Sequence, residues 1–364
     1  MFKNKNINQL RPYIVTSHEA WEHKEDQDIL KLDWNEATEL PSPNVRLRLK
    51  AVIENGRLNW YPDTNNTQLL KKISDYNQVN ITNVQYFASS DALHEYIVRC
   101  FISDSDRVLI IGPTYDNFRA VAESNGAHVQ YYDLDNIFSI DYVQFNKDLK
   151  LIKPKVVYIV NPNNPTGTLH PKTEIEKLLI DNPEVFFIID EAYYEFSKIS
   201  LASVTDKYDN ILISRTFSKA FALASFRIGY TISNKKNIQI LNTIRNAKNV
   251  SLFAQEAAIA VLEDLAYVEN YVKEVLEAKE FFIRSLKDFS WIEMICNGSG
   301  NFVFFSIKNI ELKKKLLDYL KQNKVFIRDY GHVETTAKFV RITVGRISDM
   351  KRVIELFESF GNDR

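Results

Sequence analysis

The chain has 364 residues, 45% of them hydrophobic, enough to bury a core in one large domain and a smaller one. Lys and Arg number 46 against 47 Asp and Glu, which excludes a broad basic field for nucleic acid or an anionic membrane and leaves a small molecule as the default partner. The 2 cysteines, Cys100 and Cys296, make no disulfide framework, no apolar run reaches the length of a membrane span, and the polar start lacks a signal-peptide core, so a cytoplasmic location is expected.

In chain order, the first 30 or so residues have no clear place in a sheet and are free to cross over and pack on a second domain. Ser89-Ser90-Asp91 then precedes a stretch in which Leu93, Tyr96, Ile97 and Cys100 recur at helical spacing, so a helix is expected over 91–102. Its opening backbone N–H groups can receive an anion, and simple capping by Ser90 is the plainer reading of the same residues. Cys100 reads as a reduced, buried thiol.

Near-continuous apolar runs follow at 107–111, 156–160, 185–189 and 211–213, and they read as strands buried on both faces. Patterned stretches at 115–125 and 172–180 read as crossover helices, so the region from about Asn83 to Ile232 is expected to be an α/β core with a mainly parallel sheet. Ligands of such sheets sit beyond the carboxyl ends of the strands, and the residues there are unusual. They are Asn161-Pro162-Asn163-Asn164-Pro165-Thr166-Gly167, Asp190-Glu191-Ala192-Tyr193 and Ser214-Arg215-Thr216-Phe217-Ser218-Lys219. Beyond about Lys235, long amphipathic helices, notably over 254–286, lead to short strands near 302–307, 325–328 and 339–344, which suggests a smaller α+β domain.

Lys219 follows a strand and precedes Ala220-Phe221-Ala222-Leu223-Ala224, where desolvation lowers an amine's pKa and makes it nucleophilic. Taken alone it is one lysine among many. Asp190 ends an apolar strand, where a carboxylate is costly unless a cation such as a protonated pyridine nitrogen faces it. Tyr193 and Asn164 can hydrogen-bond a phenolic oxygen on such a ring. Thr216, Ser218 and Arg227 can add hydroxyls and a cation to a phosphate site at Ser90. Plainer readings are a cap or turn for Asp190 and Asn164 and a surface ion pair for Arg227. His94-Glu95 lacks the second histidine of a zinc helix, the cysteines are far apart, and no metal site is indicated; packing and surface roles account for the histidines.

Asn163-Asn164-Pro165-Thr166-Gly167, Ile189-Asp190-Glu191-Ala192-Tyr193, Thr216-Phe217-Ser218-Lys219-Ala220-Phe221-Ala222-Leu223 and Arg227-Ile228-Gly229 resemble the signature segments of class I/II aminotransferases, enzymes of fold type I that use pyridoxal phosphate. The nearest branch is the histidinol-phosphate aminotransferases, and the likeness extends to Leu10-Arg11-Pro12-Tyr13, Trp60-Tyr61-Pro62-Asp63, Gly112-Pro113-Thr114-Tyr115 and Arg341-Ile342-Thr343-Val344-Gly345. It implies a large cofactor-binding domain over 36–240 and a small domain made of 1–35 with 241–364. It also implies Lys219 as Schiff-base lysine and general acid/base, Asp190 at the pyridine nitrogen, Tyr193 and Asn164 at the ring oxygen, and Tyr115 on the ring face. Ser90, Asp91, Thr216, Ser218 and Arg227 correspond to the phosphate site, and Tyr61 to a residue donated across a homodimer interface. Arg341 matches the carboxylate clamp and Arg328 a second substrate arginine, with Tyr13 and Asn35 at the substrate side.

The implied activity is ping-pong transamination between a histidinol-phosphate-like or other amino compound and a keto acid such as α-ketoglutarate. The alternative is a lyase of the threonine-phosphate decarboxylase type, and a third reading, a non-catalytic sensor domain, lacks a DNA-binding segment. Three segments depart from the family pattern. Ala88-Ser89-Ser90-Asp91-Ala92 lacks the usual glycine-rich turn and Asp-Glu pair, Trp60 replaces an arginine, and the residues after Glu36 are changed. They bear on the substrate more than on the cofactor.

Overall fold

The apolar runs become strands because both faces of their sheet are covered. In the computed structural model, which describes residues 4–8, 10–13, 19–132, 134, 136, 138–332 and 334–362, twelve strands form two sheets. They are β1 (Leu30–Leu32), β2 (Val84–Phe87), β3 (Arg107–Ile111), β4 (His128–Tyr132), β5 (Val156–Val160), β6 (Phe186–Asp190), β7 (Ile211–Thr216), β8 (Gly229–Ser233), β9 (Ile292–Cys296), β10 (Phe302–Ile307), β11 (Val325–Asp329) and β12 (Phe339–Thr343). The large sheet has the order β2-β8-β7-β6-β5-β3-β4, with β8 antiparallel to both neighbours and the others sharing one direction. Along β5, Val157 and Ile159 enter one core layer while Val156, Tyr158 and Val160 enter the other. β6 and β7 divide in the same way, which is why these strands show no polar alternation.

The small sheet runs β1-β11-β12-β10-β9. The N-terminal region, which had no place in a sheet by sequence, supplies β1, paired in parallel with β11 from Leu30–Val325 to Leu32–Ile327. The register sets Arg328 directly opposite Arg341, and cross-strand partners share a face. Both guanidinium groups therefore emerge on one side of the small sheet. The segment expected to be amphipathic over 254–286 is two helices, Leu252–Leu262 and Leu265–Leu286. The first is not amphipathic. It is buried nearly all round, packs on helices Pro43–Asn55 and Thr67–Asn77, and satisfies its one internal amide, Gln255, through Asn66 at 2.8 Å and the Val250 carbonyl at 3.1 Å. Among the described residues no helix is long and apolar enough to cross a membrane.

Helix Ser90–Phe101 is capped by Ser89, whose hydroxyl accepts from the Ala92 N–H at 3.2 Å, so Ser90 is not the cap. Gly229, the first residue of β8, lies against that helix start. A Cβ there would meet the Ser90 nitrogen at 2.7 Å and the Arg215 oxygen at 2.8 Å, so only glycine lets strand and helix approach this closely. Cys100 is half-buried on this helix rather than buried, and Cys296 is buried.

Candidate active site

The carboxyl ends of β2, β3, β5, β6 and β7 converge under the face of the small sheet that carries the arginines, and a cavity of about 500 Å³ lies between them. Lys219 enters it from the loop after β7. Phe217, Phe221 and Leu223 are fully buried on either side of the lysine, the Phe217 and Phe221 rings lie 4.9 Å apart, and Leu223 N–H donates to the Phe217 carbonyl at 3.0 Å. These anchors hold the loop so that the amine alone projects inward. Its Nζ donates to the Trp34 carbonyl at 2.9 Å. Burial, reinforced by the nearby Arg341, pushes the Lys219 amine down to about 8. The amine must be neutral to attack a carbonyl. Trapping of Lys219 by an aldehyde with cyanoborohydride should therefore speed up with pH and level off above about pH 8; a rate still climbing near about pH 10, as for an ordinary lysine, would contradict this setting.

Asp190 ends β6 at the floor of the cavity. Its Oδ1 accepts the Ala192 N–H at 3.1 Å, and its Oδ2 accepts the Tyr158 hydroxyl at 2.8 Å. Burial raises its carboxyl above the usual range, while His94 alongside opposes the rise. A buried carboxylate opening onto a cavity is suited to a cationic ring nitrogen. Beside it, Tyr193 is pushed up to about 12 by burial and stays a phenol, with its hydroxyl accepting from Asn35 Nδ2 at 2.9 Å.

The helix start at Ser90 faces the same cavity, flanked by Ser218 and Thr216, whose hydroxyls are linked at 2.9 Å. Asp91 here accepts from the Tyr115 hydroxyl at 2.9 Å and from Arg227 Nη2 at 2.9 Å. Unspent backbone donors, two hydroxyls and a half-exposed guanidinium form an anion cradle. The Asn163 amide braces the loop after β5, donating to the Pro113 carbonyl at 2.9 Å and to Thr166 at 2.8 Å. Gly167 closes the loop with φ +74, and an added Cβ would meet Gly298 Cα at 2.8 Å. Asn164 thereby reaches the cavity.

On the opposite wall Arg341 Nη1 donates to Asn164 Oδ1 at 2.6 Å and to the Tyr330 hydroxyl at 3.0 Å, and Nη2 donates to the Asp33 carbonyl. Among the described residues, the Nε atoms of Arg341 and Arg328 are buried without a partner. Burial, with Arg341 nearby, lowers the Arg328 pKa. Two adjacent guanidinium groups with spare donors call for an anion.

All the site residues read from the sequence line this cavity except Asn35 and Tyr61. Asn35 sits behind Tyr193, held by Thr343 and Asn301. Tyr61 is 76% exposed away from the cavity, with Lys248 Nζ 4.7 Å from its ring centroid. Sequence reasoning missed Tyr330, the Trp34 carbonyl, Tyr158 and His94. Tyr330 alone had a signal: it lies two residues after Arg328 in a strand-like alternation.

Residues 27–357 match the family described as aminotransferase class I and II. A dihydroxyacetone phosphate transaminase of Campylobacter jejuni is 42% identical over 368 residues, covering 99% of this chain and 97% of its own. A histidinol-phosphate aminotransferase of Ruminiclostridium cellulolyticum is 32% identical over 319 residues, covering 87% of this chain and 88% of that one. The crystal structure of histidinol-phosphate aminotransferase from Sinorhizobium meliloti in complex with pyridoxal-5'-phosphate superposes with a TM-score of 0.86 at 24% identity over 98% of each chain. The superposition shows the fold, fold type I, and within it an amine, a buried carboxylate and an anion cradle share one cavity. The chain belongs to the class I and II aminotransferases and is a pyridoxal-phosphate-dependent enzyme of that kind.

Proposed function

We propose that the enzyme moves an amino group between a small phosphorylated compound and an amino or keto acid such as the glutamate and α-ketoglutarate pair. The observation that carries this is the pairing of Arg328 and Arg341 across the cavity from the Lys219 amine, with an unused buried donor on each guanidinium. One arginine pair can seat the phosphate of one substrate and the carboxylate of the other in successive half-reactions. Relatives named for dihydroxyacetone phosphate and for histidinol phosphate support a phosphomonoester as the first.

Bound pyridoxal phosphate supplies the electron sink that makes a substrate C–H bond acidic. Lys219 would anchor the cofactor through its amine, and the same amine would hold and move a proton as general acid and base. Asp190 would face the ring nitrogen, Tyr193 and Asn164 would serve the ring oxygen, and Tyr115 would cover the ring face. Ser90, Asp91, Thr216, Ser218 and Arg227 would hold the phosphate, the Asp91 carboxylate acting through its ion pair with Arg227. Tyr13 stands edge-on to Tyr115, at 5.9 Å between centroids, and narrows the mouth on the substrate side, while Asn35 fixes the Tyr193 hydroxyl. Tyr61 completes the phosphate site of a second copy in a homodimer. The exposed Leu58 and Trp60, beside it in the chain, and the exposed Leu47 and Ile53 of helix Pro43–Asn55 support that contact.

Assays pairing glutamate with dihydroxyacetone phosphate, and histidinol phosphate with α-ketoglutarate, test the substrate class. Release of carbon dioxide without a keto acid would favour the lyase chemistry instead. Arg341→Ala should raise KM for these anions roughly 10- to 100-fold, the worth of charge-assisted hydrogen bonds, while cofactor affinity changes little. Equal loss of cofactor would overturn the assignment.

A further inference from the structure

The His94 side chain is fully buried on helix Ser90–Phe101, and among the described residues neither of its ring nitrogens has a hydrogen-bond partner. Its neighbours on the helix, Leu93 and Ile97, show what packing alone asks for here. An apolar side chain would fill the space without two desolvated nitrogens, so a histidine at this point needs another reason. The ring is held edge-on by Phe118 at 5.5 Å and Tyr158 at 5.6 Å, and those two rings are stacked on each other at 4.3 Å. This aromatic clamp directs Nε2 to within 3.4 Å of Asp190 Oδ2, the oxygen that also accepts the Tyr158 hydroxyl.

We propose that His94 is a positioning residue for Asp190, its Nε2 proton and the Tyr158 hydroxyl together fixing the carboxylate's orientation and charge. The proposal rests on the reading that Asp190 faces the cofactor's ring nitrogen. The ionisable groups around the pair are few. Asp190 comes from β6, Tyr193 from the turn after it, Tyr158 from β5, Tyr115 from the loop before helix Asn117–Ser124, and Asp91 from the histidine's own helix. Burial drives the Asp190 carboxyl towards its neutral form, and the imidazole is the leading influence against it. A neutral Asp190 would lose the charge that would keep a ring nitrogen protonated, and an N–H facing Oδ2 favours the ionised form. Tyr158 alone supplies one neutral donor. His94 brings a second ring nitrogen to within 3.4 Å of the same oxygen.

The test compares His94→Leu, which matches the apolar surroundings, with His94→Gln, whose side-chain amide restores a donor. Thermal melting confirms that both fold. His94→Leu should weaken pyridoxal phosphate binding, read by fluorescence titration of the cofactor-free protein, and lower kcat, each by about 10- to 100-fold, as when the group orienting a buried ligand is removed. KM for the amino donor should stay near that of the unaltered protein. His94→Gln should recover most of the loss, and adding His94→Leu to Asp190→Asn should cost nothing further. A fully active, tight-binding His94→Leu protein beside a defective Asp190→Asn would overturn the proposal alone, as would equal defects in the two His94 variants. An Asp190→Asn protein that binds cofactor and turns over normally would instead remove the reading of Asp190 on which the proposal stands.

Discussion

Lys219→Ala is expected to fold normally and to lose turnover by about 10,000-fold or more, since in the proposed role the lysine is both the covalent anchor and a general acid/base whose contribution alone reaches that order. Among the described residues the side chain makes one hydrogen bond, to the Trp34 carbonyl, so little of the fold depends on it. Its amine is depressed to about 8 by burial, so the unfolded chain binds the proton more tightly between that value and the ordinary lysine range. The buried ammonium therefore weakens the native state below about pH 8, and the penalty fades as pH rises. The alanine variant should thus melt at or above the temperature of the unaltered protein at neutral pH, with the difference shrinking under alkaline conditions. Calorimetry at two pH values and a single-turnover assay check both parts. Measurable turnover near the normal rate, or a collapsed fold, would contradict the assigned role.

The second large effect is structural. Arg215 and Glu191 are buried together just beneath the site, with Arg215 Nε and Nη2 donating to Glu191 Oε2 at 3.0 and 2.7 Å. Nη1 reaches Asn77 and Nη2 also reaches Ser200, each at 2.6 Å, and the guanidinium lies 3.5 Å from the Tyr194 ring centroid. Glu191 accepts in addition from Ser200 and from the Leu201 N–H. Every strong donor and acceptor of the pair is used. Arg215→Met strands the carboxylate in the core and should cost about 3–5 kcal/mol, as for other buried pairs broken on one side. Urea unfolding measures it. Arg215→Met with Glu191→Leu removes both charges and should recover part of the loss. A cost below about 1 kcal/mol for the single change would show that water reaches the pair.

The large sheet was legible where one physical cause dominated. The runs at 156–160 and 211–213 had to be strands buried on two faces, and the residues after them had to be the working ones, because loops at the carboxyl ends of parallel strands are where side chains meet a ligand. Lys219, Asp190 and Asn164 come together for that reason. The short strands β2, β4 and β8 carried too little pattern to stand out, and β8 begins at a glycine needed for close packing. β1 has three residues and gains its place only from β11, nearly three hundred positions away. Helix Leu252–Leu262 looked amphipathic only when read together with its successor, since its own apolar residues surround it. His94 and Tyr158 were invisible as a pair because nothing in their spacing shows that both turn towards Asp190. Arg215 and Glu191 escaped likewise, being joined by the register that sets Asp190 beside Ser214.

The central claim is that Lys219 carries pyridoxal phosphate in a cavity built to exchange amino groups. The most direct measurement is the visible absorption spectrum of the protein with pyridoxal phosphate, followed as glutamate is added with no keto acid present. A visible band of the lysine-bound cofactor that converts to the aminated form, and returns when a phosphorylated ketone or α-ketoglutarate is supplied, is the predicted result. A band that never forms, or one that no amino compound alters, would contradict it.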